Sequence, residues 1–432
     1  MAQHPTFPEA FLSAAKDSIV CNSNLARVSC DAGLDRFILT EQFTGKKWRP
    51  PNLHGLTTKG VVANEGVATR EMSTKVLADV VEALIGAAYV DGGLFKAYTC
   101  IRTLLPNETW WDSDILFDKI LDEATYAKSI CLERLEKLIG HQFAYPRLLL
   151  EAITHASYPN NRISPSYERL EFFGDAVLDL IITPELHAHA RKLRHWDLHR
   201  IHEALVNGYF LGYCCMSLSG EEEFYDIVDV GSTKNPNMEA HANSKTYHLY
   251  DFIRASGQLL NAKRASTARF VTLGGPITTA LQSSDVYPWP DLVALQPEKF
   301  FSDILEAILG AIYLDSRGDL SVCESFLEKL GVLPTMRSIL EREMETCFPK
   351  ERVGILADRN NVVYETERLD GHGGAWTCVV IVGGEEVTRA SGSSKEEAEV
   401  RTADAAAHEL AMVSSRTKPI KLSVNTRDQM EA

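Results

Sequence analysis

Two stretches of this chain carry acidic residues at spacings that suit cation chemistry. In YERLEFFGDAVLDLII (residues 167–182), Glu168, Glu171, Asp175 and Asp179 recur at intervals of 3, 4 and 4, which on a helix sets them along one face. Leu170, Phe173, Val177 and Ile181 form a second stripe that would face a core. Like charges one turn apart repel, so something must offset four acids in a row. The second stretch, SDILEAILGAIYL (302–314), is almost wholly apolar and should be buried, yet it holds Asp303 and Glu306 one turn apart. Ala307 and Gly310 continue that face with almost no side chain, so another helix could approach closely there. A carboxylate taken out of water needs a counter-charge or a metal. If the two helices cross, Glu171, Asp175, Asp303 and Glu306 converge into an all-oxygen site suited to Mg²⁺. Two such ions about 3.5 to 4 Å apart are the usual apparatus for in-line attack of water on a phosphodiester. An isolated i,i+3 acid pair is more often a solvated helix face. Here the pair lies in an apolar helix and occurs twice.

The second occurrence reveals how the chain is organised. KVLADVVEALIGAAYVD (75–91) recurs as KFFSDILEAILGAIYLD (299–315) at an offset of 224, pairing Lys75 with Lys299, Asp79 with Asp303, Glu82 with Glu306, Gly86 with Gly310 and Asp91 with Asp315. A weaker echo links SIVCNSNLA (18–26) to ALVNGYFLG (204–212) at an offset of 186, so the second copy carries about 38 extra residues, expected within 220–290. Residues 131–214 read as successive helices punctuated by Gly140 and Pro159. Beyond about residue 349 the pattern changes to short β-like runs, VVYETERL and WTCVVIV, separated by GHGG and GGEE. A helix opening at SSKEEAEVRTADAAAHEL follows, which makes a separate α+β unit. From about Ser414 the chain is polar and aperiodic, as in a disordered tail.

The composition of the 432 residues is ordinary for globular domains, with 45% hydrophobic and 24% charged residues, which excludes collagen-like and low-complexity classes. The net charge of −15 argues against a protein that coats nucleic acid by bulk charge, leaving that work to local patches or bound cations. Nine cysteines without a CxxC pair suggest neither a disulfide framework nor a cysteine-based zinc site, and fit a reducing intracellular compartment, cytoplasm or nucleus. No apolar run reaches the ~18 residues of a membrane span, and the start MAQHPTFPEAF lacks a signal-peptide pattern, so no membrane partner is expected. His195, His199 and His202 could share a helical face at a spacing that zinc would use. With no cysteine nearby and no HExxH, a polar helix is the better reading. The adjacent Cys214 and Cys215 read as core.

ERLEFFGDAVLD and DILEAILGAIYLD resemble the two acidic helices of the ribonuclease III family, and LEKLIGHQFAYPRLLLEAITHASY (135–158) resembles its entry helices. The resemblance implies a mainly α fold: a partial first ribonuclease III domain over 1–105, a linker over 106–130, a complete second domain over 131–335, a double-stranded-RNA-binding-like α+β domain over 349–413 and a tail over 414–432. This order is similar to the C-terminal part of fungal Dicer-like proteins. By the same resemblance Glu171, Asp175, Asp303 and Glu306 bind Mg²⁺, with Mn²⁺ as a substitute, and catalyse cleavage of double-stranded RNA. Asp79 and Glu82 match the metal-site acids of the first domain, and Lys75 and Lys299 match a lysine that would steady the scissile phosphate or else a solvated helix start. In the family two such domains pair, here within one chain or as a homodimer, each cutting one strand to leave 5′-phosphate and 3′-hydroxyl ends; a role in RNA silencing follows from the resemblance alone.

The chain departs from the pattern in three ways. No ERLEF-like segment precedes Asp79, so the first domain looks truncated or completed by another polypeptide. No Walker-A motif or PAZ-like segment is recognised, which leaves ATP use and a length ruler unsupported. Where the double-stranded-RNA-binding fold typically presents several lysines, SSKEEAE keeps Lys395 as an RNA-binding candidate and places Glu396 and Glu399 beside it. Residues 349–413 hold 7 Lys+Arg against 12 Asp+Glu, a net of −5, so protein contact is the rival role for this module. The alternative for the whole chain is a non-catalytic RNA-binding or scaffold protein that retains the fold.

Overall fold

The computed structural model describes residues 9–38, 73–110, 115, 117, 118, 120, 121, 132–159, 165–189, 193–229, 238–357, 361–369 and 374–414. Most of the expected linker 106–130 and, apart from Ser414, the expected tail 414–432 lie outside them. Contacts divide the chain into two compact units, Met1–Asp118 and Lys119–Ala432. No described helix is long and apolar enough to cross a membrane.

In the first unit, α1 (Glu9–Val20) and α2 (Asn22–Asp31) precede α3 (Thr74–Leu104). Ser73 caps α3 by accepting a hydrogen bond from the Val76 N–H at 3.3 Å. Gly92 and Gly93 break its regular backbone, Gly93 taking a φ of 67° that favours glycine. Leu25 and Val28 of α2 bury against Ala78 and Val81, one turn apart on α3, and against Leu105.

The second unit is built around α11 (Phe300–Asp315), in which every residue except Glu306 and Tyr313 is buried. The apolar sequence therefore gives a central helix, walled by α5 (Pro146–Ala152), α6 (Glu168–Ala188), α8 (Gly208–Ser217) and α12 (Leu320–Leu330). α2 packs on α3 as α8 packs on α11, so both sequence echoes correspond to helix pairs. Asp315 ends α11 with a carboxylate, which the helix dipole alone disfavours. It is held instead by the N–H groups of Ala144 and Tyr145 at 3.1 and 2.8 Å and by His141 Nε2 at 2.8 Å. That contact fixes the loop between α4 (Glu133–Ile139) and α5. A buried pair joins α5 to α6, Arg169 Nη2 donating to Glu151 Oε2 at 2.8 Å.

Between α7 (His195–Val206), α8 and α11 the chain inserts an antiparallel hairpin, β1 (Ser219–Asp229) with β2 (Met238–His248), then α9 (Gly257–Ser283) and α10 (Trp289–Leu295). These elements occupy the region expected for the extra residues, although the hairpin itself was not anticipated. After α12 and α13 (Val332–Arg342) comes the α+β module: α14 (Pro349–Leu356), an antiparallel sheet β3 (Val362–Arg368), β4 (Trp376–Val382), β5 (Glu385–Gly392), and α15 (Lys395–Ser414). Val353, Val380, Ala403, Ala406 and Ala407 form its core. The mainly α fold with a small α+β end is as expected; β5, whose EEVTRASG is too polar to read as a strand, is an addition.

α6 and α11 cross at Gly174 and Gly310. A Cβ on Gly174 would lie 1.8 Å from the Glu306 carbonyl oxygen, and one on Gly310 would lie 2.5 Å from that of Leu170. At the repeat-related Gly86 of α3 a Cβ would meet nothing within 4 Å. Gly310→Ala should therefore destabilise the second unit by about 1–3 kcal/mol or more, as overpacking does, whereas Gly86→Ala should be neutral or add about 0.5–1 kcal/mol by helix propensity. Urea unfolding of both variants checks this; equal effects would refute the close crossing.

Candidate metal centre

The crossing carries the chemistry with it. Glu171 lies on α6 three residues before Gly174, and Asp303 and Glu306 lie on α11 before Gly310. With no side chain separating the helices, one ligand oxygen or more from each of Glu171, Asp303 and Glu306 falls within 4.8 Å of the others. It is the metal-capable group found among the described residues.

Each acid has a different setting. Asp303 is 5% exposed, and each of its two oxygens accepts a hydrogen bond. Lys299 Nζ donates to Oδ1 at 2.7 Å, and Tyr167 Oη donates to Oδ2 at 3.0 Å. Lys299 also donates to Glu171 Oε1 at 2.8 Å, bridging the two helices. Its side chain is 76% exposed, so this ammonium closes the group on the solvent side, where water screens the pairing. Burial works to lower the Lys299 pKa, but the hydrogen bonds to Asp303 and Glu171 outweigh it and hold the ammonium charged.

Among the described residues no cation pairs with Glu306 in this way. Burial first, then the charges of Asp175, Asp303 and Glu171, push its carboxyl up to about 9, against the smaller opposing effect of Lys299. Glu306 is thus protonated at neutral pH in the cation-free protein, which marks a site short of positive charge. The donor set is all oxygen and mostly carboxylate, which fits a hard divalent cation. Asp175, the fourth expected ligand, is exposed one turn further along α6; it stands outside the closest group but near enough for its charge to act on Glu306.

The rest of the acidic stripe is committed elsewhere. Glu168 accepts a hydrogen bond from Ser166 Oγ at 3.1 Å, and Asp179 pairs with His202 Nε2 at 2.8 Å, a contact that raises the histidine pKa. His195 and His199 stack on each other at 6.5 Å, and the three histidines form no metal-capable group among the described residues. Phe173, expected in the core, is half-buried against the Tyr313 ring at 5.5 Å. Cys214 and Cys215 are fully buried, as expected.

In the first unit Lys75 Nζ pairs with Asp79 Oδ1 at 2.9 Å, repeating the Lys299–Asp303 contact. Asp79 and Glu82 are exposed and face no other acidic helix among the described residues. Lys395 opens α15 and lies 3.7 Å from Glu399.

Two residues near the centre were not singled out from sequence. Tyr167 is 4% exposed, and burial together with Asp303 holds its hydroxyl protonated, so it serves as a fixed donor. His155 packs edge-on to Tyr167 at 5.6 Å and Phe300 at 6.3 Å, accepts the Ser157 N–H at 2.9 Å, and is kept neutral by burial. The position of Tyr167, immediately before the acidic helix, was the available signal.

The chain is similar to known proteins over most of its length. The Ribonuclease III domain family matches residues 1–93 and 168–317, and the Double-stranded RNA binding motif family matches residues 350–410. Dicer-like protein 2 of Coccidioides immitis is 40% identical over 413 residues, covering 94% of this chain and 28% of that protein. Dicer-like protein 2 of Aspergillus terreus is 39% identical over 408 residues, covering 93% and 28%. The chain thus spans just over a quarter of the length of these relatives. The nuclease domain of ribonuclease III from Campylobacter jejuni aligns at 26% identity over 46% of this chain and 94% of that one, with a TM-score of 0.29.

Two outcomes follow from the geometry. Because the Glu306 carboxyl binds its proton more tightly folded than unfolded, cation-free stability should fall as pH rises from about 4.5 towards 9. Glu306→Gln should flatten that dependence and raise the neutral-pH melting temperature by a few degrees, on the order expected for a relieved buried charge; thermal scans between pH 5 and 9 test it. Tyr167→Phe should weaken Mn²⁺ binding roughly three- to tenfold by releasing Asp303. An electron paramagnetic resonance titration giving an unchanged affinity would remove Tyr167 from this role.

Proposed function

Since the chain belongs to the ribonuclease III family, we propose that it is a Mg²⁺-dependent endoribonuclease that hydrolyses double-stranded RNA, with Mn²⁺ able to substitute. The observation that carries this reading is the convergence of Glu171, Asp303 and Glu306 within 4.8 Å on two packed helices. Glu171, Asp303 and Glu306 would hold the cation, with Asp175 contributing from the exposed side. A bound divalent pair would supply an acidified water and would stabilise charge on the reacting phosphate and the leaving 3′-oxygen.

The residues of the chain divide the remaining work. Tyr167 and Lys299 fix the two oxygens of Asp303, so that carboxylate keeps one orientation. Lys299, exposed at the mouth, can turn from Glu171 towards an incoming phosphate while it stays charged. With a divalent cation in the group, Glu306 would lose its proton to water and would serve as a carboxylate ligand.

The duplex substrate is supported by the match of residues 350–410 to the Double-stranded RNA binding motif and by the Dicer-like names of the relatives. On this reading the products carry 5′-phosphate and 3′-hydroxyl ends, and the cellular role is RNA silencing. The first unit pairs with the second within the chain, or the second pairs with its copy in a homodimer, to address the two strands. Exposed Asp79 and Glu82, with no facing acid among the described residues, favour cleavage by the second site alone in this chain.

Mg²⁺-dependent cutting of a long end-labelled RNA duplex should fall by about a thousandfold or more in Glu306→Ala, as loss of a metal-site ligand does. Nicks confined to one strand would mark a single working site. Duplex binding without cutting by the unsubstituted protein would replace the enzyme reading with a scaffold.

A further inference from the structure

The α+β module is not strung on a free linker. Between α13 and α14, Met344, Thr346 and Cys347 are buried, as is Pro349 at the start of α14. The Glu345 N–H donates to the Asp285 carbonyl at 2.8 Å, and the Tyr287 N–H donates to the Glu345 carbonyl at 2.9 Å. Trp289 Nε1 donates to the Thr346 carbonyl at 2.9 Å, with its ring against Phe348 at 5.1 Å. The connection is thereby part of the core around α10, and Arg200 of α7 adds an ion pair to Glu351 of α14 at 2.8 Å.

This attachment turns the start of α15 towards the nuclease helices. Tyr209 of α8 donates its hydroxyl to Glu396. Gln296, in the left-handed turn between α10 and α11, donates Nε2 to Ser393 Oγ at 2.9 Å and approaches Glu397 Oε2 at 3.5 Å. Glu397 is 6% exposed, accepts from the Ser393 N–H at 2.8 Å and pairs with Arg401 at 2.9 Å. Glu399 is bound by Lys350 of α14 and flanked by Lys395 at 3.7 Å. All three glutamates of this stretch therefore have partners within the protein, two of them reaching the nuclease helices.

We propose that the first turns of α15 form a protein-docking edge, which holds the module on α8 and the α10–α11 turn and does not grip RNA phosphates. The residue types explain the choice. Three carboxylates against Lys395 would repel a phosphate backbone, yet they suit the hydroxyl, amide and cationic donors that surround them. Gln296 lies three residues before Lys299, so the docked edge also abuts the turn from which the lysine of the metal centre departs.

The docking test needs no RNA, while a second arm rests on the duplex reading above. In the full chain, Tyr209→Phe combined with Gln296→Ala removes both donors from the nuclease side. Hydrogen exchange of peptides covering 393–401, read by mass spectrometry, should then quicken about five- to tenfold while peptides of α11 stay unchanged. Equal exchange rates in the two proteins would overturn the proposal. In the second arm, Lys395→Ala should change duplex affinity less than twofold at moderate salt, and a tenfold loss would return the edge to RNA. If the unsubstituted chain fails to bind duplex at all, the substrate reading fails and the exchange arm still decides the docking.

Discussion

Where α6 and α11 cross, two main chains touch with no side chain between them, because both contact positions are glycine. That approach is closer than any pair of residues with a Cβ allows, and it sets the separation of every group that matters nearby. Glu171 on one helix and Asp303 and Glu306 on the other become neighbours through backbone geometry alone. Lys299 and Tyr167 then fix the carboxylate that lies between them. Mutual repulsion of the acids is held in check by a large apolar interface, since α11 is buried on almost all sides. The electrostatic strain is localised in Glu306, which keeps a proton in place of a charge.

The parts of the fold legible in the sequence were those with strong periodicity. The α6 and α11 helices, the burial of α11, the small-residue face of Ala307 and Gly310 and the repeat at offset 224 all follow from residue pattern, because helix geometry converts spacing directly into facing. Helix geometry likewise led to the expectation that Glu171, Asp175, Asp303 and Glu306 converge, and three of the four, Glu171, Asp303 and Glu306, come together. The hairpin β1–β2 and strand β5 were not foreseen, since their polar sequences lack the alternation that marks a half-buried strand. Tyr167 and His155 escaped notice because their roles depend on packing between elements distant in sequence. Asp175 shares a stripe with Glu171, yet the crossing point lies between them, so one is drawn inward and the other is left in water.

The two copies of the helical repeat show how context governs a motif. Lys75 and Asp79 reproduce the Lys299 and Asp303 contact at almost the same distance, because an i,i+4 pair is a property of one helix. The acidic cluster, by contrast, is a property of two helices. Around Gly86, where a Cβ would meet open space, the described residues provide no second helix, and Asp79 and Glu82 remain surface acids. A short motif thus carries its local geometry into both settings, while its chemistry depends on the partner that packs against it.

A carboxyl that is neutral at pH 7 until positive charge arrives makes cation uptake an ion exchange. A cation held at Glu306 would release the one proton of that carboxyl to water, so its heat of binding would carry a contribution from the buffer that receives the proton. Occupancy of the centre is then linked to acidity as well as to the concentration of the ion. A fall in pH and a fall in the concentration of a divalent cation would then both favour the protonated, cation-free Glu306.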